Sequence, residues 1–308
     1  MSKEKMTEFR SGFIALVGKP NVGKSTLINA LLGQKIAAVS PRPQTTRRRQ
    51  LGILTTKNAQ LVFVDTPGIH HANHKLGKFL NQEAEEGLSG VDLILWLVDG
   101  SREPDNEDQM ISSILNDLRR SPEVVIGVNK IDLLKSSQGI TEHIAKFSNL
   151  LPSAEVIALS ALQPESRSGL VSCLVEKLPV REPQFPLDQL TDLYERDIAA
   201  DLIREAALFF LRDEVPHGLA IRIDEFTERG DVGAYIAATL FVERESQKGI
   251  VIGEKGSMLK KIGSAARQEI EAMGGRKVFL QLRVKVAKGW RNDENFLNRF
   301  GYKMKKKK

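Results

Sequence analysis

The feature that most constrains this chain is Gly18-Lys-Pro-Asn-Val-Gly-Lys-Ser25, which directly follows the apolar run 13–17 and opens a helical pattern over 25–32. The string fits G-x-x-x-x-G-K-S, a glycine-rich turn between a buried strand and a helix. It commits the N-terminal half to a layered α/β architecture, because the turn needs a sheet behind it and a helix N-terminus in front. Backbone N–H groups of the turn and the helix start favour phosphate oxygens. Gly18, Lys19, Pro20, Asn21, Val22, Gly23, Lys24, Ser25 and Thr26 are therefore candidates for contact with a nucleotide. Lys24 is expected to reach the β- and γ-phosphates, and the Ser25 hydroxyl to ligate Mg²⁺.

The apolar runs 13–17, 61–64, 93–98, 124–128 and 156–159 are separated by amphipathic segments. They read as strands buried on both faces of a largely parallel sheet, with Trp96 in its core. Two of these strands exit into further polar motifs. Asn129-Lys-Ile-Asp132 distinguishes guanine from adenine, because the Asp132 carboxylate accepts from N1–H and the 2-amino group of guanine only. Asn129 braces that loop, and the stem of Lys130 lies along the base. Ser160-Ala-Leu162 ends the next strand at the same edge, where the backbone N–H groups of Ser160, Ala161 and Leu162 face the guanine oxygen. Asp65-Thr-Pro-Gly68 ends the strand 61–64. Asp65 holds Mg²⁺ through water, the Gly68 N–H senses the γ-phosphate, and Thr66, Pro67 and Ile69 complete that loop. Gln44-Thr45-Thr46-Arg47 lies between these motifs, and either Thr45 or Thr46 completes the Mg²⁺ shell. The run 47–49 of three arginines reads as a solvated face.

The order of these motifs resembles the translation-factor class of GTPases, and the Era family within it. The resemblance implies a Ras-like P-loop GTPase domain that binds GTP and GDP, with switch segments at about 34–49 and 66–82 and GTP hydrolysed to GDP and phosphate. It also implies an unusual catalytic step. Ile69 stands where Ras-like enzymes place a water-orienting glutamine, and an aliphatic side chain cannot hold a nucleophile by hydrogen bonding. Relatives place an asparagine at the position of Asn21, where it helps bind a monovalent cation beside the phosphates. Asn21 and K⁺ are the expectation here, with Lys24, Gly68 and one of Thr45 and Thr46 as the other catalytic groups. His70, His71 and His74 read as exposed switch-loop residues rather than bases.

Pro179, Pro183 and Pro186 mark a break after Leu178, since proline neither extends a helix nor joins a central strand. Beyond it come an amphipathic helical pattern from Leu190 to Phe210, strand-like runs at 220–228 and 234–245, a helical pair split around Gly263, and strict alternation over 276–288. The polar face of that last strand carries Lys277, Gln281, Arg283 and Lys285. The order α-β-β-α-α-β, with Gly253-Glu-Lys-Gly256 joining two helices, matches a type II KH fold. Gly253, Glu254, Lys255 and Gly256 would approach a nucleic-acid backbone, with Lys260 and Lys261 on phosphates. An N-terminal GTPase followed by an α+β KH domain extends the Era resemblance over essentially the whole chain, as does Gly289-Trp290 after the last strand. It divides the chain into a G domain at 1–180, a linker at 181–190 and a KH domain at 191–308.

Charge supports a polyanionic partner for that second half. Residues 248–308 hold 17 Lys+Arg against 5 Asp+Glu, a balance of +12, while 1–180 is nearly neutral at 21 against 19. The resemblance names the partner as the 3′ region of 16S ribosomal RNA and the role as assembly of the 30S subunit, carried out by a monomer. The lysines at 303 and 305–308 leave a peripheral, salt-sensitive attachment to the cytoplasmic face of the inner membrane as the alternative. No apolar run reaches the length of a membrane span, and the N-terminus lacks a signal core. With Cys173 as the single cysteine, expected as a buried structural thiol, the reading is cytoplasmic.

Overall fold

A computed structural model describes residues 8–40, 42, 45–69, 74–118, 122–134, 136–228, 233–300 and 302. They form two compact units: one from Met1–Gly33, Arg48–His70 and Glu83–Asp192, the other from Gln34–Arg47, His71–Gln82 and Leu193–Lys308.

The first unit is built on a six-stranded sheet. Its strands are β1 (Arg10–Val17), β2 (Gln50–Thr55), β3 (Ala59–Asp65), β4 (Leu93–Asp99), β5 (Glu123–Asn129) and β6 (Glu155–Ala158), in the order β2-β3-β1-β4-β5-β6. All neighbours are parallel except the β2–β3 hairpin. The continuous apolar runs foretold a parallel sheet because strands covered on both faces cannot alternate. Every residue of β3 and β4 is buried, including Trp96. The sequence reading missed β2, whose six residues QLGILT are short and interrupted by a glycine. Parallel strands bring the ends of β1, β3, β5 and β6 to one edge, where the helix α1 (Lys24–Leu32) begins. The other helices of this unit are α3 (Asn106–Asn116), α4 (Ser137–Leu150) and α5 (Pro164–Lys177). Cys173 on α5 is half-buried rather than buried. Its thiol donates to Glu155 Oε1 at 3.5 Å, and burial followed by the Glu155 charge pushes its pKa up to about 11, so it is inert.

After α5 the chain runs back along this sheet. Ile53 N–H donates to Leu190 O at 2.8 Å and Leu51 N–H to Asp192 Oδ1 at 2.8 Å. Buried Gln60 accepts from the N–H groups of Gln184 and Phe185 and donates to Phe185 O, so one amide satisfies the returning backbone.

In the second unit β7 (Ala220–Glu228) pairs antiparallel with β8 (Ala234–Val242), which pairs parallel with β9 (Val278–Val286). One face is covered by α6 (Glu195–Phe210) and α8 (Ser257–Gly274), with Leu202, Ile203, Ile236, Leu240, Ile262 and Ile270 in the shared core. The order α6-β7-β8-α7-α8-β9, with α7 at Glu245–Ile252, is the expected α-β-β-α-α-β. The split in the helical pair lies at 253–256, not around Gly263. Gly263 is inside α8, where a Cβ would already touch the Leu282 side chain at 3.4 Å, so the small residue serves close packing on β9. The last strand begins and ends two residues inside the expected 276–288.

The segments 34–47 and 71–82 belong to this second unit. Leu76, Phe79 and Leu80 of α2 (Lys75–Glu86) share a cluster with Phe241, Trp290 and Phe300, the latter on the residue following α9 (Glu294–Arg299). Arg47 is not on a solvated face: it is 3 % exposed, and its Nη1 donates to Leu219 O at 2.7 Å, whereas Arg48 and Arg49 are exposed. Among the described residues no helix is long and apolar enough to cross a membrane, and residues 303–308 lie outside them.

Candidate nucleotide site and RNA cleft

The turn after β1 curls round its own lysine. Lys24 Nζ donates to Gly18 O at 2.8 Å and Lys19 O at 3.0 Å. Burial, opposed by the Asp65 carboxylate, lowers the Lys24 pKa to about 8. Gly23 sits at φ 105°, and a Cβ there would stand 2.4 Å from Asn129 Nδ2, so glycine is required by both backbone and space. Asn129 occupies that space. Its Nδ2 donates to Val22 O at 2.8 Å, and its Oδ1 accepts from Ala161 N–H at 2.9 Å. One buried amide therefore joins the phosphate loop to both loops expected to read the base.

Asp132 is exposed on the turn Ile131–Leu133 that follows Lys130, itself at φ 65°. Lys130 Nζ donates to Asp99 Oδ2 at 2.6 Å. Burial works to raise the Asp99 pKa, but the Lys130 ion pair and the Ser101 hydrogen bonds hold it below the ordinary value. In the last loop Ser160 N–H donates to Ser166 Oγ at 2.8 Å and Leu162 N–H to Ser160 Oγ at 3.3 Å. All three N–H groups are thus engaged, Ala161 by Asn129 and the other two locally, and the Leu162 bond is the longest.

The residues expected to hold Mg²⁺ converge. Ser25 Oγ lies 3.3 Å from Asp65 Oδ2, which also accepts from Gln50 Nε2 at 3.1 Å. A hydroxyl and one buried carboxylate are hard oxygen donors, and the described residues contain no cluster of three or more His, Cys, Asp or Glu. That set fits an ion held jointly by protein and phosphates. Sequence reasoning missed Gln50, because nothing marks it as a partner of a residue fifteen positions on. Thr66 Oγ1 is turned inward to Leu16 O at 2.9 Å, and Pro67 is buried. Gly68 approaches the phosphate loop so closely that a Cβ would meet Pro20 N at 2.7 Å.

Ile69 is 2 % exposed within the cluster of Val17, Trp96 and Ile126, so it is a core residue as well as a non-polar one. His74 Nδ1 accepts from Gly77 N–H at 2.9 Å at the start of α2, a capping role rather than a loose loop histidine, while His70 and His71 lie outside the described residues. Thr45 and Thr46 belong to the second unit, where Thr45 Oγ1 donates to Arg42 O at 2.8 Å and Thr45 O accepts from Arg204. Gln44 lies outside the described residues.

Lys19 carries a further anchor. Its Nζ donates to Asp105 at 2.6 Å and to Asp108 at 2.7 Å, the carboxylates that form the capping box of α3. Burial alone would lower the Lys19 pKa, but the two carboxylates outweigh it and hold the ammonium charged. The side chain of Lys19 is therefore committed to α3, leaving its backbone for the phosphate loop. Asn21 is exposed at the tip of that loop, at φ 65°.

In the second unit Gly253, Lys255 and Gly256 have φ of 72°, 50° and 81°. At Gly253 a Cβ would clash with Met258 Cβ at 2.7 Å, so the turn between α7 and α8 depends on that glycine. Glu254 and Lys255 are exposed on it. Behind Gly256 opens a cleft of about 330 Å³ between α8 and β9, lined by Lys260 and Arg267 on one side and Phe279, Leu280 and Leu282 on the other. Lys261 lines a separate cleft with Phe210. Arg267, seven residues after Lys260 on α8, is the cleft cation that sequence reasoning overlooked. Trp290 is buried, its Nε1 donating to Gly218 O at 2.8 Å.

Fold and site together define a P-loop guanine-nucleotide GTPase with a C-terminal KH domain. Residues 13–130 match the family described as 50S ribosome-binding GTPase, and 214–291 match the KH domain. GTPase Era of Geobacter metallireducens is 46 % identical over 295 residues, covering 96 % of this chain and 98 % of its own, and that of Geotalea uraniireducens is 46 % identical over 299, covering 96 % and 100 %. A crystal structure of Era with MgGDPNP and nucleotides 1506–1542 of 16S ribosomal RNA matches with TM-score 0.91 and 38 % identity, over 96 % of this chain and 100 % of the other. A single-substitution variant of Aquifex aeolicus Era bound to GDP and AlF₄⁻ matches with TM-score 0.91 and 37 % identity over the same shares. The chain belongs to the Era family of GTPases.

Proposed function

We propose that this GTPase uses GTP to control engagement of the 3′ region of 16S ribosomal RNA by its KH half, during assembly of the 30S subunit. The observation that carries the reading is the turn at 253–256, with positive φ at Gly253, Lys255 and Gly256, beside a cleft flanked by Lys260 and Arg267. Such a turn brings backbone within reach of a nucleic-acid strand that side chains would hold off. The nucleotide would bind across the phosphate loop, Asp65–Ile69, Asn129–Asp132 and Ser160–Leu162, with Ser25, Asp65 and one of Thr45 and Thr46 on Mg²⁺. Bound there, Mg²⁺ would neutralise charge developing on the phosphate oxygens. Asp132 selects guanine, Lys24 offsets phosphate charge, and Asn129 keeps the loops in register. The G domain is assigned to 1–180, the linker to 181–190 and the KH domain to 191–308.

Since Ile69 is core, we place the missing polarity at Asn21 with K⁺ beside the phosphates. Equal turnover in K⁺ and Na⁺, unchanged in Asn21→Ala, would remove that assignment. The protein is taken to act as a cytoplasmic monomer, and the lysines at 303 and 305–308 would add only a salt-sensitive attraction to anionic inner-membrane lipid. Liposome flotation that persists in high salt would contradict this weak, electrostatic attachment. The main reading is tested by crosslinking to RNA in cells, comparing wild-type and GTP-locked forms, followed by sequencing. Reads concentrated at the 3′ end of 16S RNA are expected; scattered reads or none would defeat it.

A further inference from the structure

We propose that the solvent face of β9 is a second RNA-contact surface, where Phe279 stacks on an unpaired base and Arg283 and Lys285 hold the neighbouring phosphates. The proposal rests on the reading of the KH half as RNA-binding and extends it from the glycine turn and its cleft, which Phe279 also lines, round the edge of β9 to the strand's solvent face.

The strand alternates strictly. Val278, Leu280, Leu282, Val284 and Val286 turn to the core, whereas Phe279, Gln281, Arg283 and Lys285 are all exposed. A phenylalanine among these polar positions is out of place as surface chemistry. It is 67 % exposed, so solvation of its ring costs free energy that a stacked base would recover. The ring is held in place. It lies nearly parallel to Tyr235 of β8, with centroids 5.8 Å apart and planes at 16°, and Tyr235 OH donates to Gln281 Oε1 at 2.6 Å. A ring supported on one side and open elsewhere is a preorganised stacking platform.

Position and charge both favour RNA as the occupant. β9 is an edge strand in the order β7-β8-β9, and Phe279 also lines the cleft behind Gly256. A strand leaving the cleft therefore reaches the platform by rounding that edge. Across the sheet the opposite edge carries exposed Asp224, Glu225 and Glu228 against one arginine, Arg222, which is paired with Asp224, while β9 carries Arg283 and Lys285 with Lys277 just before it. A polyanion is steered to the β9 side. Stacking requires an unpaired base, so the occupant is single-stranded.

The test uses the full chain and RNA of nucleotides 1506–1542, with 2-aminopurine placed in turn at its adenines. Phe279→Leu keeps an apolar side chain without the π-face and is expected to weaken binding roughly tenfold. It should also restore the fluorescence of one 2-aminopurine that the unaltered chain quenches, while Phe279→Tyr retains both affinity and quenching. Because position 279 is exposed, thermal midpoints should change little, which separates stacking from unfolding. Arg283→Gln with Lys285→Gln should flatten the salt dependence of log K by about 1.4, at 0.7 per phosphate contact on a single strand. Absence of RNA binding by the unaltered chain overturns the RNA reading and this surface with it. Tight binding that Phe279→Leu leaves unchanged overturns the platform alone. So does a Phe279→Leu defect seen only on phosphatidylglycerol vesicles.

Discussion

Asn129 donates to the Val22 carbonyl across 2.8 Å, and the Gly23 that follows Val22 leaves no room for a Cβ beside that amide. The phosphate loop and the loop that follows β5 are therefore one hydrogen-bonded assembly. Asn129→Ala strands Val22 O and Ala161 N–H in a buried site, each at about 1–3 kcal/mol. Nucleotide affinity should fall ~10–100-fold with a lower melting temperature, measured by fluorescent-GDP dissociation and thermal unfolding. A variant with unchanged dissociation would show that the two loops are held together by something else.

Asp132 is exposed on its turn, and the proposed function makes its carboxylate the acceptor for guanine. Asp132→Asn keeps one acceptor oxygen and replaces the other by a donor NH₂, and should shift preference from guanine to xanthine, whose 2-oxo group accepts. Affinity for GDP should drop by a factor on the order of 10³, as expected when polar groups in a reading site lose their match. Competition of GDP and XDP for the variant reads this directly, and retained GDP preference would sink the assignment.

Ile69→Gln introduces an amide into the core beside Val17, Trp96 and Ile126. The cost is roughly 1–3 kcal/mol of unpaired polar burial, so the melting temperature should fall, and turnover should not rise because that position points into the core. Faster hydrolysis in Ile69→Gln would mean that residue 69 reaches the phosphates when nucleotide is bound.

Burial lowers the Lys24 pKa to about 8 from 10.5. Phosphate would raise it again, so binding takes up a proton wherever the free protein has lost one, and affinity should decline as pH rises above about 8. Between about 8 and 10.5 the unfolded chain binds more protons than the folded one, so the stability cost of burying Lys24 shrinks through the same window. Calorimetry of GDP binding at pH 7 and 9 in buffers of different ionisation enthalpy checks the first effect. Equal proton uptake at both pH values would rule it out.

What could be read from sequence was what the chain encodes locally. The turn at 18–25, the Asn129–Asp132 exit and the alternation of β9 each depend on neighbours a few residues apart. The misses were pairings at long range. Lys19 meets Asp105 and Asp108 across most of a domain, and Gln50 meets Asp65 from a strand too short to recognise. Arg47 was misread for another reason: three consecutive arginines look uniformly solvated, yet Arg47 alone turns inward to Leu219 O with its guanidinium 5.7 Å over Trp290. Burial drops its pKa to about 10, so it is still charged at neutral pH. His74 differs in another way, since it reads as an exposed loop residue and instead caps a helix.

The central claim is that a nucleotide switch governs RNA binding in one chain. Its most direct measurement is the Kd of the full chain for RNA of nucleotides 1506–1542, taken with a non-hydrolysable GTP analogue and with GDP at one salt concentration. The expected result is binding at least tenfold tighter with the GTP analogue, abolished in Gly253→Asp. Equal affinity in both nucleotide states would contradict the switch.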